Sequence, residues 1–445
     1  ANDARYNANI FTNLLLGESQ TTIIGGANNT NEIRSRRGRG WFGGQNAGIT
    51  ASENLGVNTN IDLTGKLDKK DDKTELLLGG DATLNHSVND TRTQSQKESY
   101  SEEATYIDQD STNKVTHAWD AQMRLEMEYQ IDSMNKVILR PQISYSNSRY
   151  AQTNDYTYER DSVLINDGYQ NQSSLQEEIS AAIRATYNHK FAKPGRSLTM
   201  RANVTFKNTK GETDTYAFDN LTNAALVDQN TLSHNNALSY SLRTSFVEPI
   251  YGKNHFIETV LSLSGSNRNS VKDQYSMDSI TGNYEYDSVY SNALTNDMYT
   301  EQLELNYRWV NEKMDLTAGA RVLATQTHST TYYGNTLARD TLYNRWNWSP
   351  NVRFRYKFGQ KEFARVVYRG RVNQPTIQQM EPVHNNSDAM NETVGNLGLN
   401  PAFSHNIFAM YSKFNQEKFS SMMVGMNANL TQDALTNNTI YDKTG

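Results

Sequence analysis

Apolar and polar residues alternate without a break over residues 119–131. Trp119, Ala121, Met123, Leu125, Met127, Tyr129 and Ile131 form one set, and Asp120, Gln122, Arg124, Glu126, Glu128 and Gln130 the other. A period of two places the sets on opposite faces of a β-strand. A half-buried strand of a soluble sandwich runs about five or six residues, whereas a membrane-crossing strand needs about nine to eleven, with aromatics near its ends. Length and the terminal Trp119 and Tyr129 therefore predict a strand that crosses a bilayer.

The same alternation recurs along the chain. Apolar sets are Leu55, Val57, Ile61 and Leu63; Leu76, Leu78, Ala82 and Leu84; Val137, Leu139, Pro141, Ile143 and Tyr145; Ile179, Ala181, Ile183, Ala185 and Tyr187. They continue with Leu198, Met200, Ala202, Val204 and Phe206; Leu238, Tyr240, Leu242 and Phe246; Leu303, Leu305, Tyr307 and Trp309; Met314, Leu316, Ala318, Ala320 and Val322. Val352, Phe354, Tyr356 and Phe358, then Ala364, Val366 and Tyr368, then Met422, Val424, Met426, Ala428 and Leu430 complete the series. Residues 6–16 and 21–27 carry the pattern less clearly, and in residues 255–264 either face could be the apolar one. Pro141 cannot donate to a ladder, which weakens its strand.

Short turns are expected near residues 17–20, 68–73, 132–135, 190–196, 248–254, 310–313, 359–361 and 415–418. Between them lie long Asn-, Asp-, Ser-, Thr- and Gly-rich segments, at 28–47, 87–116, 149–173, 208–236, 266–297, 325–345 and 373–404, which read as loops. Loops of that length are foreign to a compact soluble domain but usual on the outer side of an outer-membrane barrel, whose inner turns are short. The expected fold is all-β: one large antiparallel transmembrane β-barrel domain over residues 1–445, with about sixteen strands visible.

Composition narrows this further. A hydrophobic share of 36% and a mean hydropathy of −0.76 exclude a helical membrane protein, as does the lack of any apolar run of about 18 residues. A barrel tolerates both, because half of each strand faces a wet lumen. The 26 tyrosines suit aromatic girdles or ligand-contacting loops. A net charge of −6 points to no nucleic-acid partner. The absence of cysteine removes disulfides, thiolate metal sites and thiol catalysis. No Gly-x-Ser-x-Gly elbow and no histidine pair at metal spacing occur, so neither an enzyme nor a cofactor is expected.

Two places carry a resemblance. Residues 373–382 read Asn-Gln-Pro-Thr-Ile-Gln-Gln-Met-Glu-Pro, followed by Asn385-Asn386-Ser387-Asp388 and Gly395-Asn396-Leu397-Gly398-Leu399-Asn400-Pro401. Earlier, Gly38-Arg39-Gly40-Trp41-Phe42-Gly43-Gly44 precedes Ile49-Thr50 and the strand from Leu55. Both resemble TonB-dependent receptors, specifically their outer-membrane β-barrel family. The resemblance implies location in the outer membrane of a Gram-negative bacterium, a barrel of about 22 strands, and a plug domain and TonB box outside residues 1–445. Closure within this chain alone would require Asn429 and Leu430 to pair with residues 6–14. The implied activity is energised import of a ligand, with the plug and the TonB energy complex as partners. A non-transporting scaffold barrel in an outer-membrane assembly or secretion complex is the alternative, and a barrel lipase a more distant one. A surface lipoprotein or another outer-membrane protein would fit either of the first two as a further partner.

Candidate residues fall into two groups. Asp120, Arg124, Glu126, Glu128, Arg353, Arg355, Arg365, Arg369 and Arg371 occupy polar registers and are expected to face the lumen, as do Arg308 and Arg321. They would dock a plug or line a solute path, or simply form cross-strand ion pairs. Arg36, Arg37 and Trp41, beside Arg34 and Arg39, could hold a phosphate or lipopolysaccharide head group, a solvated basic loop being the plainer reading. Tyr156, Tyr158, Tyr284, Tyr286, Tyr332 and Tyr333 offer flat amphipathic contact area to a ligand, or pack the loops. Residues 108–113 resemble a calcium loop faintly but lack its Gly and distant Glu.

Overall fold

Alternating side chains fix only which face is apolar; the backbone ladder decides which strand lies beside which. A computed structural model describes residues 5–17, 19–29, 49–62, 75–100, 105–334, 336–373, 375, 379, 393–396, 398–416 and 419–438. Its strands are β1 (Asn7–Leu16), β2 (Ser19–Asn28), β3 (Ile49–Asp62), β4 (Glu75–Tyr100), β5 (Thr105–Gln130), β6 (Asn135–Arg160), β7 (Val163–Lys190), β8 (Ser197–Asp219) and β9 (Ala224–Tyr251). They continue as β10 (His255–Met277), β11 (Tyr284–Tyr286), β12 (Asn292–Val310), β13 (Met314–Tyr333), β14 (Thr336–Gly359), β15 (Glu362–Asn373), β16 (Ala402–Asn415) and β17 (Ser420–Gln432). All seventeen belong to one sheet. With the three-residue β11 set aside, sixteen long strands remain, as the alternation indicates.

Each long strand pairs antiparallel with its neighbours in sequence, β11 being a short addition to β10 while β10 pairs on to β12. Among the described residues, no ladder joins β1 to β17, so the closure sketched for this chain alone is not formed. Short turns fall where expected wherever they lie on described residues, and residues 63–74 lie outside them. At Pro141 the β6–β7 ladder runs on opposite Ile183. The β5–β6 ladder, in contrast, skips from Arg124–Gln142 to Met127–Leu139. The missing N–H thus interrupts one neighbour and not the other.

Strands reach 28 residues, far beyond what a membrane requires. Segments expected as loops at 87–116, 149–173, 208–236 and 325–345 are largely strand, as is much of 266–297. The β6–β7 connection is a two-residue turn in which Asp161 and Ser162 take φ of 49° and 64°, as a tight hairpin turn demands. These extensions escape the alternation rule because both of their faces are hydrophilic. Thr112, for example, donates to Asn154 (2.7 Å), Asn154 to Asp110 (3.0 Å), and Tyr150 to Gln172 (2.9 Å).

The apolar face locates the bilayer. Trp119, Met123, Leu125, Ile143, Ile179, Ile183, Leu242, Leu303 and Leu305 are exposed on the outer register, each stabilised by lipid rather than by a protein core. β10 turns Leu261 and Leu263 outward and buries Val260 on the opposite side. Aromatic pairs ten residues apart bracket this band: Trp119 and Tyr129, Tyr299 and Trp309, Trp346 and Tyr356, Trp348 and Phe358. Ten residues span about 34 Å of strand, or about 25 Å of height at a tilt of roughly 40°, the thickness of an outer-membrane apolar band. Above Trp119, β5 continues to Thr105, which adds roughly 35 Å of height by the same arithmetic.

Candidate functional site

The inner register divides into two walls. On β5, Asp120, Arg124, Glu126 and Glu128 share the face opposite to Leu125 and Met127. Arg124 stands directly across from Asp81 and donates to its Oδ2 from Nε (3.1 Å) and Nη2 (2.8 Å). Lys136 donates to Glu128 at 2.6 Å, and Arg140 donates to Glu126 at 2.6 Å while lying 3.7 Å from Glu128. Further along, Lys207 meets Glu178 at 2.8 Å. Asp120 is exposed in the same register, and no ion pair reaches it among the described residues. Cross-strand pairing, the plainer of the two expectations, accounts for Arg124, Glu126 and Glu128.

The wall formed by β10 and β12–β15 differs in kind. Inner positions here include Arg353 and Arg355 on β14 and Arg365, Arg369 and Arg371 on β15. Arg355 and Arg365 stand opposite one another, and the Arg355 guanidinium lies 4.5 Å from the centre of the Phe363 ring. Arg353, Arg369 and Arg371 instead line a cavity of about 1100 Å³, together with Arg268, Arg321 and Arg345. Glu304 also lines it, but its carboxylate already accepts from Asn306 (2.9 Å) and lies 3.7 Å from Arg243. A smaller cavity of about 350 Å³ adjoins it, where Arg308 meets Asp315 at 3.2 Å.

Three donors in the larger cavity are buried without a hydrogen-bond partner: Asn296 Nδ2, Arg321 Nε and Arg345 Nη1. The alternation puts Arg321 on the polar register, whereas Arg268, Asn296 and Arg345 fall in segments that read as loops. Arg268 and Asn296 lie on strand extensions with no clear apolar face, and Arg345 sits at the rim of the band beside Trp346, so the available signal was arginine recurring at Arg345, Arg353 and Arg355, then at Arg365, Arg369 and Arg371.

The outer tyrosines take several roles. Tyr156 and Tyr158 are only 4% and 6% exposed, and Tyr158 stacks on Tyr106 with ring centres 5.8 Å apart. Both pack near the tip of the β6–β7 hairpin, beside the first residues of β5. Tyr284 and Tyr286 on β11 are exposed. Tyr284 donates to Asp228 at 2.5 Å, a bond that pushes its hydroxyl up to about 12. Tyr286 meets the Tyr275 ring edge-on at 5.7 Å. Tyr332 is exposed and Tyr333 half-buried near the β13 tip. Arg36, Arg37 and Trp41 lie outside the described residues. At the opposite end, below the Phe246 level, Glu248 accepts from Arg196 and Lys193, each at 2.6 Å, and these cations hold its carboxyl down at about 2.

A lipid-facing apolar band, two aromatic levels and a charged inner wall define an outer-membrane β-barrel of the Gram-negative envelope. Residues 189–445, more than half of the sequence, match the outer membrane protein beta-barrel family, and the chain belongs to that family. Among curated proteins, none matches this sequence. Solved structures to which the chain bears some likeness include the ferric yersiniabactin uptake receptor of Yersinia pestis, at 8% identity and a TM-score of 0.42 over 96% of this chain and 69% of that one. The ferric-catecholate import receptor of E. coli shares 8% identity, with a TM-score of 0.35 over 97% and 82%. The ferric preacinetobactin receptor of Acinetobacter baumannii shares 9%, with a TM-score of 0.35 over 97% and 74%.

Proposed function

We propose that this barrel is the wall of an outer-membrane receptor that imports a ligand with energy delivered through TonB. The observation that carries the reading is the inner face itself. Charged and hydrogen-bonding side chains line it through the full height of the apolar band, from Arg345 beside Trp346 to Arg355 beside Tyr356. Charge so placed is tolerated only against water or a polar occupant. The motif-like segment over residues 373–401 supports the same reading. In this scheme the barrel supplies a polar, low-friction wall, and a plug outside residues 1–445 supplies the gate.

The test uses the full-length protein from native outer membranes. It is expected to bind the isolated periplasmic domain of TonB, and loss of the protein is expected to abolish an uptake that a proton uncoupler also abolishes. Recovery in a stoichiometric outer-membrane complex, with no affinity for TonB, would replace import by the scaffold role. Residues with exposed side chains on the tall β4–β9 extensions would then be the surface to examine for that partner.

A further inference from the structure

Six guanidinium groups share the larger cavity, and each carries a fixed positive charge at any physiological pH. Like charges so gathered repel, and the effective dielectric near a protein wall screens them less than bulk water does. Glu304, across from Arg321 and 3.7 Å from Arg243, offsets at most one of the six. The cavity thus has an uncompensated surplus of positive charge.

A second observation is independent of charge. Asn296 is only 5% exposed, and its Nδ2 has no partner; the same holds for Arg321 Nε and Arg345 Nη1. A buried donor left unpaired costs about 1–3 kcal/mol. All three orphans are donors, so what they lack is an acceptor. They stand in different rows of the sheet: Asn296 opposite Ser329, Arg345 opposite Thr325, and Arg321 opposite Ser349. On β13 these rows are four residues apart, roughly 13 Å. Acceptors are therefore wanted at separated points along the wall.

We propose that this cavity binds a small polyanionic solute whose phosphate or carboxylate oxygens accept from Asn296, Arg321 and Arg345. Arg353, Arg369 and Arg371 balance the remaining charge. A volume of about 1100 Å³ is near the upper end of the range for small-ligand sites, about 300–1,000 Å³. The proposal rests on the receptor reading only for the use to which binding is put. Binding itself needs no energy source, so the two can fail separately.

The test is calorimetric titration of the full-length, detergent-purified protein at low salt with tripolyphosphate, and separately with citrate. Saturable binding of at least one is expected, and the tighter of the two assigns phosphate or carboxylate as the preferred group. The double variant Arg321→Gln/Arg345→Gln is expected to weaken binding by at least about tenfold. Asn296→Leu should weaken it by a smaller factor. Arg124→Gln, on the ion-paired wall, should leave it unchanged. If the double variant does not assemble, Asn347→Glu, which adds an acid to the same cavity, is expected to abolish binding. Failure of both anions to bind the wild type, as when an acidic protein segment fills the cavity, would overturn the proposal. So would equal weakening by Arg124→Gln, or unchanged affinity in the cavity variants.

Discussion

The two inner walls share the same alternating polar register and reach opposite electrostatic states. Along β4–β6 an acid stands across from or diagonal to nearly every base, as with Arg124 and Asp81 or Arg140 and Glu126. Along β14–β15 an arginine stands across from an arginine, Arg355 opposite Arg365, or from an uncharged residue, Arg353 opposite Val367 and Arg369 opposite Asn351. A wall that is only required to stay wet would be served by either pattern. The paired wall satisfies itself, and the unpaired one has capacity left for something from outside. Acids separate them: β4 and β5 turn Asp81, Asp120, Glu126 and Glu128 inward, whereas the inner rows of β14 and β15 carry arginine and uncharged residues.

Substitutions that break or sharpen this contrast can be ranked by size. The largest effect tests the premise that both walls face inward. Arg at Leu125, near the middle of the apolar band, should cost about 2–4 kcal/mol and deplete the heat-modifiable, folded species in outer membranes, whereas Arg at Gln122 should not. Equal tolerance at both positions would invert or dissolve the assignment of faces.

Next in size is the removal of one cation from each wall. Arg140→Gln strands Glu126, while Glu128 keeps Lys136, and should lower denaturant stability by up to about 1 kcal/mol, since the pair is partly exposed to the wet lumen. Arg353→Gln removes a charge from a crowd of like charges and should leave stability unchanged or slightly raised. Identical losses in the two variants would erase the distinction between the walls. Adding an acid sharpens it: Asn347→Glu is expected to stabilise the apo-protein by a few tenths of a kcal/mol, read as a rise in unfolding midpoint, while occupying the capacity that an anion would use.

The smallest effect lies outside both walls. Glu248 has its folded-state value lowered to about 2 by Arg196 and Lys193. A lowered carboxyl contributes stability that is fully present above its unfolded value, near 4.5, and is lost as pH falls through the folded value. The stability difference between wild type and Glu248→Gln should therefore be constant above about pH 5 and shrink between about pH 4.5 and 2. A difference that grew on acidification would contradict the clamp.

What could be read in advance follows the same physical divide. Lipid demands an apolar face, so β5, β9 and β12 announce themselves by alternation, and the short turns between them by Gly, Asn, Asp and Lys. Above the membrane no face is apolar, and residues 149–173 looked like loop although they form β6 and β7 up to the Asp161–Ser162 turn. Of the lumen residues, Arg353 through Arg371 were legible because they share strands with lipid-facing aromatics. Arg268, Asn296 and Arg345 were not, since only cross-strand register brings residues so far apart in sequence to one cavity. The tyrosines illustrate a further limit: sequence cannot distinguish Tyr158, folded against Tyr106, from Tyr284, which stays exposed.

The long hydrophilic hairpins have a consequence for motion. In the lower part of each strand, opening the ladder would expose backbone groups to hydrocarbon, which forbids it. In the upper part the same ladder is bounded by water on both faces and has little hydrophobic packing beyond clusters such as Tyr106 with Tyr158. Local opening free energies should therefore rise from the hairpin tips toward the Trp119 level, as in a zip fastened at one end. Amide exchange along β5 would record that gradient residue by residue, with Thr105 exchanging early and Met123, laddered on both sides, last.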